Sequence, residues 1–431
     1  MRFFIIGAIF IGALITSVLF SLPISLALFL GLILFTYDAI KKGFKISDLS
    51  KMYKNGFKLV ANLVIIFSLI GFITAAWRLS GTIPYLVYYG AKFINKNLFY
   101  LFCFLLTIGM SLLLGSVNGT ITTMGVVLIS LARANGADLL ISTGAILSGS
   151  IFGDRISPVS SSAVLVGSLT QTKLIENRKA MARTTLVPTL ISAIIFLLLS
   201  LFGSKNEVDI NLLRDLKSQL NFSLICILPA LIIFILAAFK LSTRKLLLAS
   251  CAVSIIIAIV YQGFSAKDLV VGLIKGVQVP ANTEAVARVV NGGGIFSMLS
   301  TIVNVIISAI YFGIFEQTEF LKPLEKIAKT LEGHFGYYPV FVLMALIFSI
   351  IFCTQSIVVI LLAQMYREKL TADRQSFMLD LENIPILVPS LIPWNMAANV
   401  AFTVFEVSYK AVIYNLFPLI MVICYGFYRK K

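Results

Sequence analysis

Apolar runs long enough to cross a bilayer recur along nearly the whole chain, separated by short polar or cationic connections. A hydrocarbon core of roughly 30 Å takes about 20 residues of helix. The pattern therefore predicts an all-α integral membrane protein of about ten to twelve spans. Glycine, proline and clustered polar residues interrupt the runs at 115–123, 147–162 and 380–395. Broken helices or re-entrant hairpins are expected there, because such backbone is tolerated at membrane depth only where it faces protein or a water-filled cavity. The first run, after Arg2, has no small-x-small cleavage pattern, and Ser21-Leu22-Pro23 leads straight into the next. It reads as a first helix and not as a signal peptide.

The pattern repeats. Gly43-Phe44-Lys45-Ile46-Ser47-Asp48-Leu49 returns about 220 residues later as Gly263-Phe264-Ser265-Ala266-Lys267-Asp268-Leu269. Further on, Trp77-Arg78, Ser116-Val117-Asn118 and Gly153-Asp154 interrupt apolar runs, and Glu316-Gln317, Thr354-Gln355-Ser356 and Pro393-Trp394-Asn395 do so at closely similar spacing. Residues 282–294 form an extra segment that widens the offset. A duplicated half is the reading, with residues 1–203 as the first repeat, 204–220 as a polar connector and 221–431 as the second.

Loop charge orients the halves. The 38–58 connection carries Lys41, Lys42, Lys45, Lys51, Lys54 and Lys58, whereas its counterpart at 263–278 carries Lys267 and Lys275. The preceding connection reverses the bias, since Ser21 to Pro23 is uncharged and 240–245 holds Lys240, Arg244 and Lys245. Corresponding loops thus fall on opposite sides, which predicts two repeats of inverted topology. The same rule puts both termini and the Lys173–Arg183 loop in the cytoplasm, with the connector outside.

Composition narrows the function classes. The chain is 59% hydrophobic and 13% charged, with a formal charge of +16. Its cations gather in loops beside apolar spans, so the charge reflects membrane orientation and nucleic-acid binding is not expected. Cys103, Cys226, Cys251, Cys353 and Cys424 sit in apolar segments without a CxxC pair, which leaves no disulfide frame or metal site in view. His334 is the one histidine and falls in a connection between spans. With no phosphate-binding loop and no nucleophile–His–acid set, neither an ATP-driven pump nor an enzyme is expected, and no cofactor is implied beyond a coupling ion such as Na+. Lipid and a small ion or organic solute are the expected partners, and a homodimer is compatible with such a chain.

Ionisable groups inside a membrane are functional candidates. The 147–162 stretch is the strongest region: unwound backbone there would expose carbonyls and a helix N-terminus, and Asp154 adds a carboxylate beside Arg155, Ser157, Ser160 and Ser161. A structural Asp154–Arg155 pair at a helix end is the competing account. Ser116, Asn118 and Thr120 bring neutral oxygens, although such hydroxyls also bond to the preceding helical turn. In the second half stand Thr354, Gln355 and Ser356, then Glu382, Trp394 and Asn395; Trp394 reads equally as an interfacial anchor. Arg78, Glu316 and Glu406 are lesser candidates, and loop solvation accounts for Glu319.

In these motifs the chain resembles the NhaC family of sodium/proton antiporters. The resemblance rests on Ala76-Trp77 with Gly81-Thr82-Ile83-Pro84, on 115–125, and above all on Phe152-Gly153-Asp154-Arg155-Ile156-Ser157-Pro158. In the second half it rests on Gly292-Gly293-Gly294, Leu381-Glu382 and Ile392-Pro393-Trp394-Asn395. It implies an inverted-repeat fold with hairpins, a rocking or elevator-like movement, and exchange of sodium against protons. Ser161 and Thr354 stand where the family usually has acids.

Two functions follow. In cation/proton antiport a buried carboxylate at Asp154 binds either a cation or a proton, so that competition couples the fluxes. In transport of a small organic solute, an amino acid or carboxylate, Arg78 or Arg155 would face the ligand's carboxylate. The resemblance favours antiport.

Overall fold

The computed structural model describes residues 2–429 apart from 21, 94–95, 158–159, 204–209, 240 and 319–321. Pro158, Val159, Lys240, Glu319, the start of the connector, and Lys430 and Lys431 lie outside the described residues. In the first half the helices are α1 (Arg2–Leu19), α2 (Ile24–Lys41), α3 (Ile46–Leu79), α4 (Thr82–Phe93), α5 (Phe99–Leu114), α6 (Val117–Thr120), α7 (Val126–Ala134), α8 (Leu139–Ile156), α9 (Ser161–Thr170) and α10 (Leu174–Phe202). The connector, read from sequence as plain polar chain, holds α11 (Ile210–Gln219). Then come α12 (Leu228–Ala238), α13 (Thr243–Val260), α14 (Ala266–Lys275), α15 (Glu284–Val290), α16 (Leu299–Thr318), α17 (Lys322–Phe335), α18 (Tyr337–Ile351), α19 (Gln355–Met365), α20 (Arg367–Ala372), α21 (Arg374–Asn383), α22 (Met396–Phe405) and α23 (Leu416–Arg429). No strand occurs among the described residues, and one isolated antiparallel bridge joins Val277 to Gly292.

Nine helical stretches among the described residues are long and apolar enough to span a membrane, and six shorter apolar helices accompany them. Outward faces fit a lipid solvent: Leu186, Val187 and Leu190 on α10 and Ile256 and Val260 on α13 are exposed. The chain is thus an all-α integral membrane protein.

The short helices arise at the polar interruptions. Gly115 adopts φ +60°, a left-handed conformation that ends α5 before the chain turns back through α6, a π turn at Ile121–Gly125, and α7. Ser160 caps α9 by accepting from the amides of Ser162 and Ala163, and Asn395 caps α22 through Ala397 N. In the second half a glycine-rich loop separates α14 from α16. The loop's Gly276, Gly292, Gly293 and Gly294 all have positive φ, and it encloses α15, in the segment read as an insertion. His334 lies in the last turn of the amphipathic α17, with its ring Nδ1 beside Thr330 O at 3.0 Å, and not in an irregular loop.

Two groups of helices share one core. In one, α3 lies against α13, α14 and α16, with α2 and α1 outside α16 and α12 against α13. In the other, α5 lies along α8, α10 packs on α5 and α23, and α21 packs on α9. Glycine sets the closest approaches. A Cβ at Gly56 would strike the Ala309 carbonyl and one at Gly313 the Met52 carbonyl, so α3 and α16 meet backbone to backbone. Gly149 and Gly153 let α8 lie on Phe104, Thr107, Ser111 and Leu112 of α5 in the same way.

Candidate functional site

α8 is buried over most of its length and starts from an Asp138 cap, whose carboxylate accepts from Leu140 N and Ile141 N. Its last turn carries Asp154, 3% exposed. The chain then unwinds: Ser157 Oγ donates to Leu112 O at 2.7 Å, and α9 restarts at Ser161. This break folds the first turn of α9 back onto the carboxylate. Ser162 Oγ donates to Asp154 Oδ2 at 3.0 Å, Gln355 Nε2 donates to the same oxygen at 2.9 Å, and Ser160 Oγ reaches Oδ1 at 3.4 Å. Gln355 Nε2 also lies 2.7 Å from Ser162 Oγ. Polar breaks from the two halves thus meet at one carboxylate.

Asp154 sits at the wall of a cavity of about 420 Å³. From the α5–α8 group it is lined by Ser116, Asn118, Asp154, Ser161, Ser162, Gln355 and Ser356, with Met396 and Ala397 at the start of α22. Asn62, Leu63 and Ile66 of α3 and Ser242, Thr243 and Arg244 at the start of α13 supply the other wall. Asn62, Ser161, Ser242 and Arg244 are exposed, whereas Asp154 and Ser162 are buried. The cavity therefore runs from the connection bearing Arg244 and Lys245 inward to the carboxylate. Asn118 is buried and its Oδ1 has no partner, an oxygen left over at the edge of the site.

Other candidates lie elsewhere. Thr120 Oγ1 donates to Ser116 O at 2.9 Å, and Thr122 and Thr123 bond to their preceding turns likewise, so these hydroxyls serve their own helix. Thr354 is buried one residue before Gln355. Trp394 is buried rather than interfacial, with Nε1 donating to Ile350 O at 2.9 Å. Asn395 Nδ2 donates to Ser349 O and Phe352 O; both side chains hold the break before α22 against the end of α18. Arg78 is at the far end of α3, donating to Thr74 O, near Glu406 and the Gly292 backbone. Glu316 is exposed at the end of α16.

Behind the cavity lies a second polar cluster. Arg155 is fully buried and turns away from Asp154, donating through Nη1 to Asn383 Oδ1 at 2.7 Å and through Nη2 to Thr185 Oγ1. The competing account, an Asp154–Arg155 pair, is not met: Asp154 is bonded by Ser160, Ser162 and Gln355 instead. Glu382 is 0% exposed, and neither carboxylate oxygen has a hydrogen-bond partner. Asp380, two residues earlier, is saturated by Arg429 Nε and Nη2 at 2.8 and 3.0 Å, Tyr425 OH at 2.8 Å and Tyr337 OH at 3.1 Å.

Ser162, Asn62 and Thr243 were not among the sequence candidates. Asn62 carried a usable signal, a lone amide within an apolar span. Ser162 and Thr243 carried none, because their place depends on how the breaks fold.

Two segments, residues 1–168 and 152–428, match the sequence model described as the Na+/H+ antiporter family. The chain is similar to the malate-2H+/Na+-lactate antiporter of Bacillus subtilis (strain 168), at 27% identity over 88% of this chain and 83% of that protein. It is similar also to the Na+/H+ antiporter NhaC of the same organism, at 26% identity over 90% and 88%. The NhaC of Alkalihalophilus pseudofirmus is 26% identical over 81% and 78%.

Proposed function

The chain belongs to the Na+/H+ antiporter family, and from that premise we propose that a cation bound at Asp154 is exchanged for a proton across the membrane. The protein is a secondary active transporter of the NhaC type. The observation that carries the site is the meeting of Asp154 with Ser160, Ser162 and Gln355 at the inner end of a cavity. Carboxylate, hydroxyl and amide oxygens form the hard-donor set that a small alkali cation takes, and the unpartnered Asn118 Oδ1 adds to it. Cation and proton compete for one negative charge in the membrane, so that neither crosses on the same trip as the other.

The halves lie in opposite orientation in this reading, as their loop charges and the matching order of breaks suggest. The connections rich in Lys and Arg face the cytoplasm, with both termini on that side. The cavity then opens to the cytoplasm, and alternating access is a movement of the α5–α8 group against the α3–α16 group.

Proteoliposomes carrying an internal pH dye test the reading. An imposed sodium gradient should move protons through the wild type, and Asp154→Asn should lower the rate at least a hundredfold. Unchanged exchange in that variant would remove Asp154 from the mechanism.

The cavity's size favours a second cargo. A volume of about 420 Å³ exceeds what a bare cation fills, and Arg244 offers a charge to a carboxylate. The relative named for malate and lactate suits a small hydroxy acid. Protection of the purified protein against heat by malate or lactate, lost in Arg244→Gln, is expected. Protection by sodium alone would leave the simple cation exchange.

A further inference from the structure

The antiport cycle needs a proton as well as a cation, and the side chains around Asp154 are occupied in a way that bears on where the proton sits. Ser162 Oγ, Gln355 Nε2 and Ser160 Oγ all lie at hydrogen-bond distance from the carboxylate. Three donors directed at one carboxylate favour its charged form relative to an equally buried carboxylate that has none. Glu382 has the opposite surroundings. It is 0% exposed, with both oxygens unpartnered, and a bare carboxylate anion so enclosed is costly. Its nearest cation, Arg155, spends its two terminal nitrogens on Asn383 and Thr185 and has an unpartnered Nε. Asn383 Nδ2 is unpartnered too. Two buried acceptor atoms and two buried donors stand together unjoined.

We propose that the exchanged proton is carried by Glu382, apart from the cation's carboxylate, and that the two sites are linked by charge. The inference rests on the reading that Asp154 binds the cation. With the cavity empty, Asp154 is ionised, Arg155 is cationic and Glu382 is protonated, so the buried trio has no net charge. A cation entering at Asp154 cancels that negative charge. Glu382 can then release its proton and pair with Arg155, whose Nε is spare, and neutrality is kept by one cation in and one proton out. The charges interact across the cluster, that of Glu382 with both Arg155 and Asp154.

The surroundings leave few rivals for the proton. On its own helix, Asp380 is engaged by Arg429, Tyr425 and Tyr337. Packed against α21, neither α9 nor α19 carries a titratable side chain. From α10 it is Thr185 that reaches Arg155, while Glu176, Arg178, Lys179 and Arg183 are exposed. On α23, Tyr425 lies between Arg155 and Asp380. On α20, Arg367 and Glu368 are exposed and Lys369 lies over the Tyr337 ring.

Sodium binding to the purified full-length protein, measured by calorimetry between pH 6 and 8, separates the outcomes. Wild-type affinity should fall about tenfold per unit of pH on the acid side, as expected when one proton is displaced. Glu382→Gln should still bind sodium, with an affinity that no longer depends on pH. Asp154→Asn should not bind. If Glu382→Gln keeps the wild-type pH dependence, the proton rides on Asp154 and the inference falls while the antiport reading stands. If Asp154→Asn binds sodium normally, the antiport reading itself falls. Should Glu382→Gln fail to fold, infrared spectra of the wild type and of Glu382→Asp decide. A C=O band from a buried protonated carboxyl that sodium removes and that Glu382→Asp shifts supports Glu382 as carrier, whereas the absence of such a band, or a band that Glu382→Asp leaves in place, overturns it.

Discussion

Two buried aspartates, Asp154 and Asp380, show how surroundings separate a working carboxylate from a structural one. Asp380 receives a two-pronged guanidinium and two tyrosine hydroxyls, and Arg429 stacks on the Tyr337 ring at 4.4 Å. Nothing is left over to bind a traveller, and the contact ties the end of α23 to α21. Asp380→Asn should therefore cost about 3–5 kcal/mol of stability, because it strands a partly buried guanidinium. Thermal unfolding in detergent would register the loss, with exchange per folded molecule near normal. Asp154→Asn should do the reverse, abolishing exchange while leaving the melting temperature within a few degrees of wild type. At Gln355 the effect is intermediate. Gln355→Leu removes one of three donors to Asp154 and should weaken sodium binding about tenfold, the loss of a hydrogen bond to a charged group, which equilibrium binding would measure. Gln355 was legible in the sequence because the repeat read there pairs Thr354-Gln355-Ser356 with Ser116-Val117-Asn118. Ser162 was not, because only the fold of the 157–160 break brings it back to Asp154.

Helices here are positioned by what their glycines leave out. Gly149 and Gly153 of α8 face α5 so closely that a Cβ would meet the Thr107 side chain or the Ser111–Leu112 backbone. Since α8 carries Asp154 one residue after Gly153, this contact also sets the height of the carboxylate in the bundle. Gly153→Ala should push α8 off α5, lowering stability by about 1–3 kcal/mol and exchange by more than stability alone explains. A melting curve set beside a transport rate checks both; a stable, fully active variant would mean that the helices tolerate the shift. The pattern of apolar runs and breaks predicted these elements well, including the interruptions at Gly115, Ser160 and Asn395. It did not predict α11 or the amphipathic α17, since short polar helices lack the apolar length that marks a span. Nor did it foresee that Trp394 and Asn395 would be spent on the end of α18. Their hydrogen bonds go to carbonyls of Ser349, Ile350 and Phe352, freed where that helix stops, and a chain read one residue at a time does not show which carbonyls are free.

At the scale of the whole molecule, the cavity lies between the α3–α16 group and the α5–α8 group. Asn62, Ser161 and Ser242 are exposed at its mouth. At the other end of the same interface the groups meet closely. Arg78 of α3 lies by Glu406, which follows α22, and Asn399 Nδ2 of α22 donates to Thr301 Oγ1 of α16 at 3.4 Å. A transporter that alternates must open these contacts as it closes the cavity. Single cysteines report which end is open. Cys103, Cys226, Cys251 and Cys353 are buried, so a background with Cys424→Ser should be silent to a membrane-impermeant maleimide. In that background Asn62→Cys, Ser161→Cys and Ser242→Cys should react in inside-out vesicles and not in right-side-out ones. Sodium added to inside-out vesicles should slow the reaction at Ser161→Cys most, because that residue is nearest in sequence to the Asp154 partners Ser160 and Ser162. Labelling from the outer face alone would reverse the orientation inferred from the loop charges. Equal labelling from both faces would mean a continuous aqueous path, which a coupled exchanger cannot have, since a leak of protons through it would dissipate the gradient that drives the exchange.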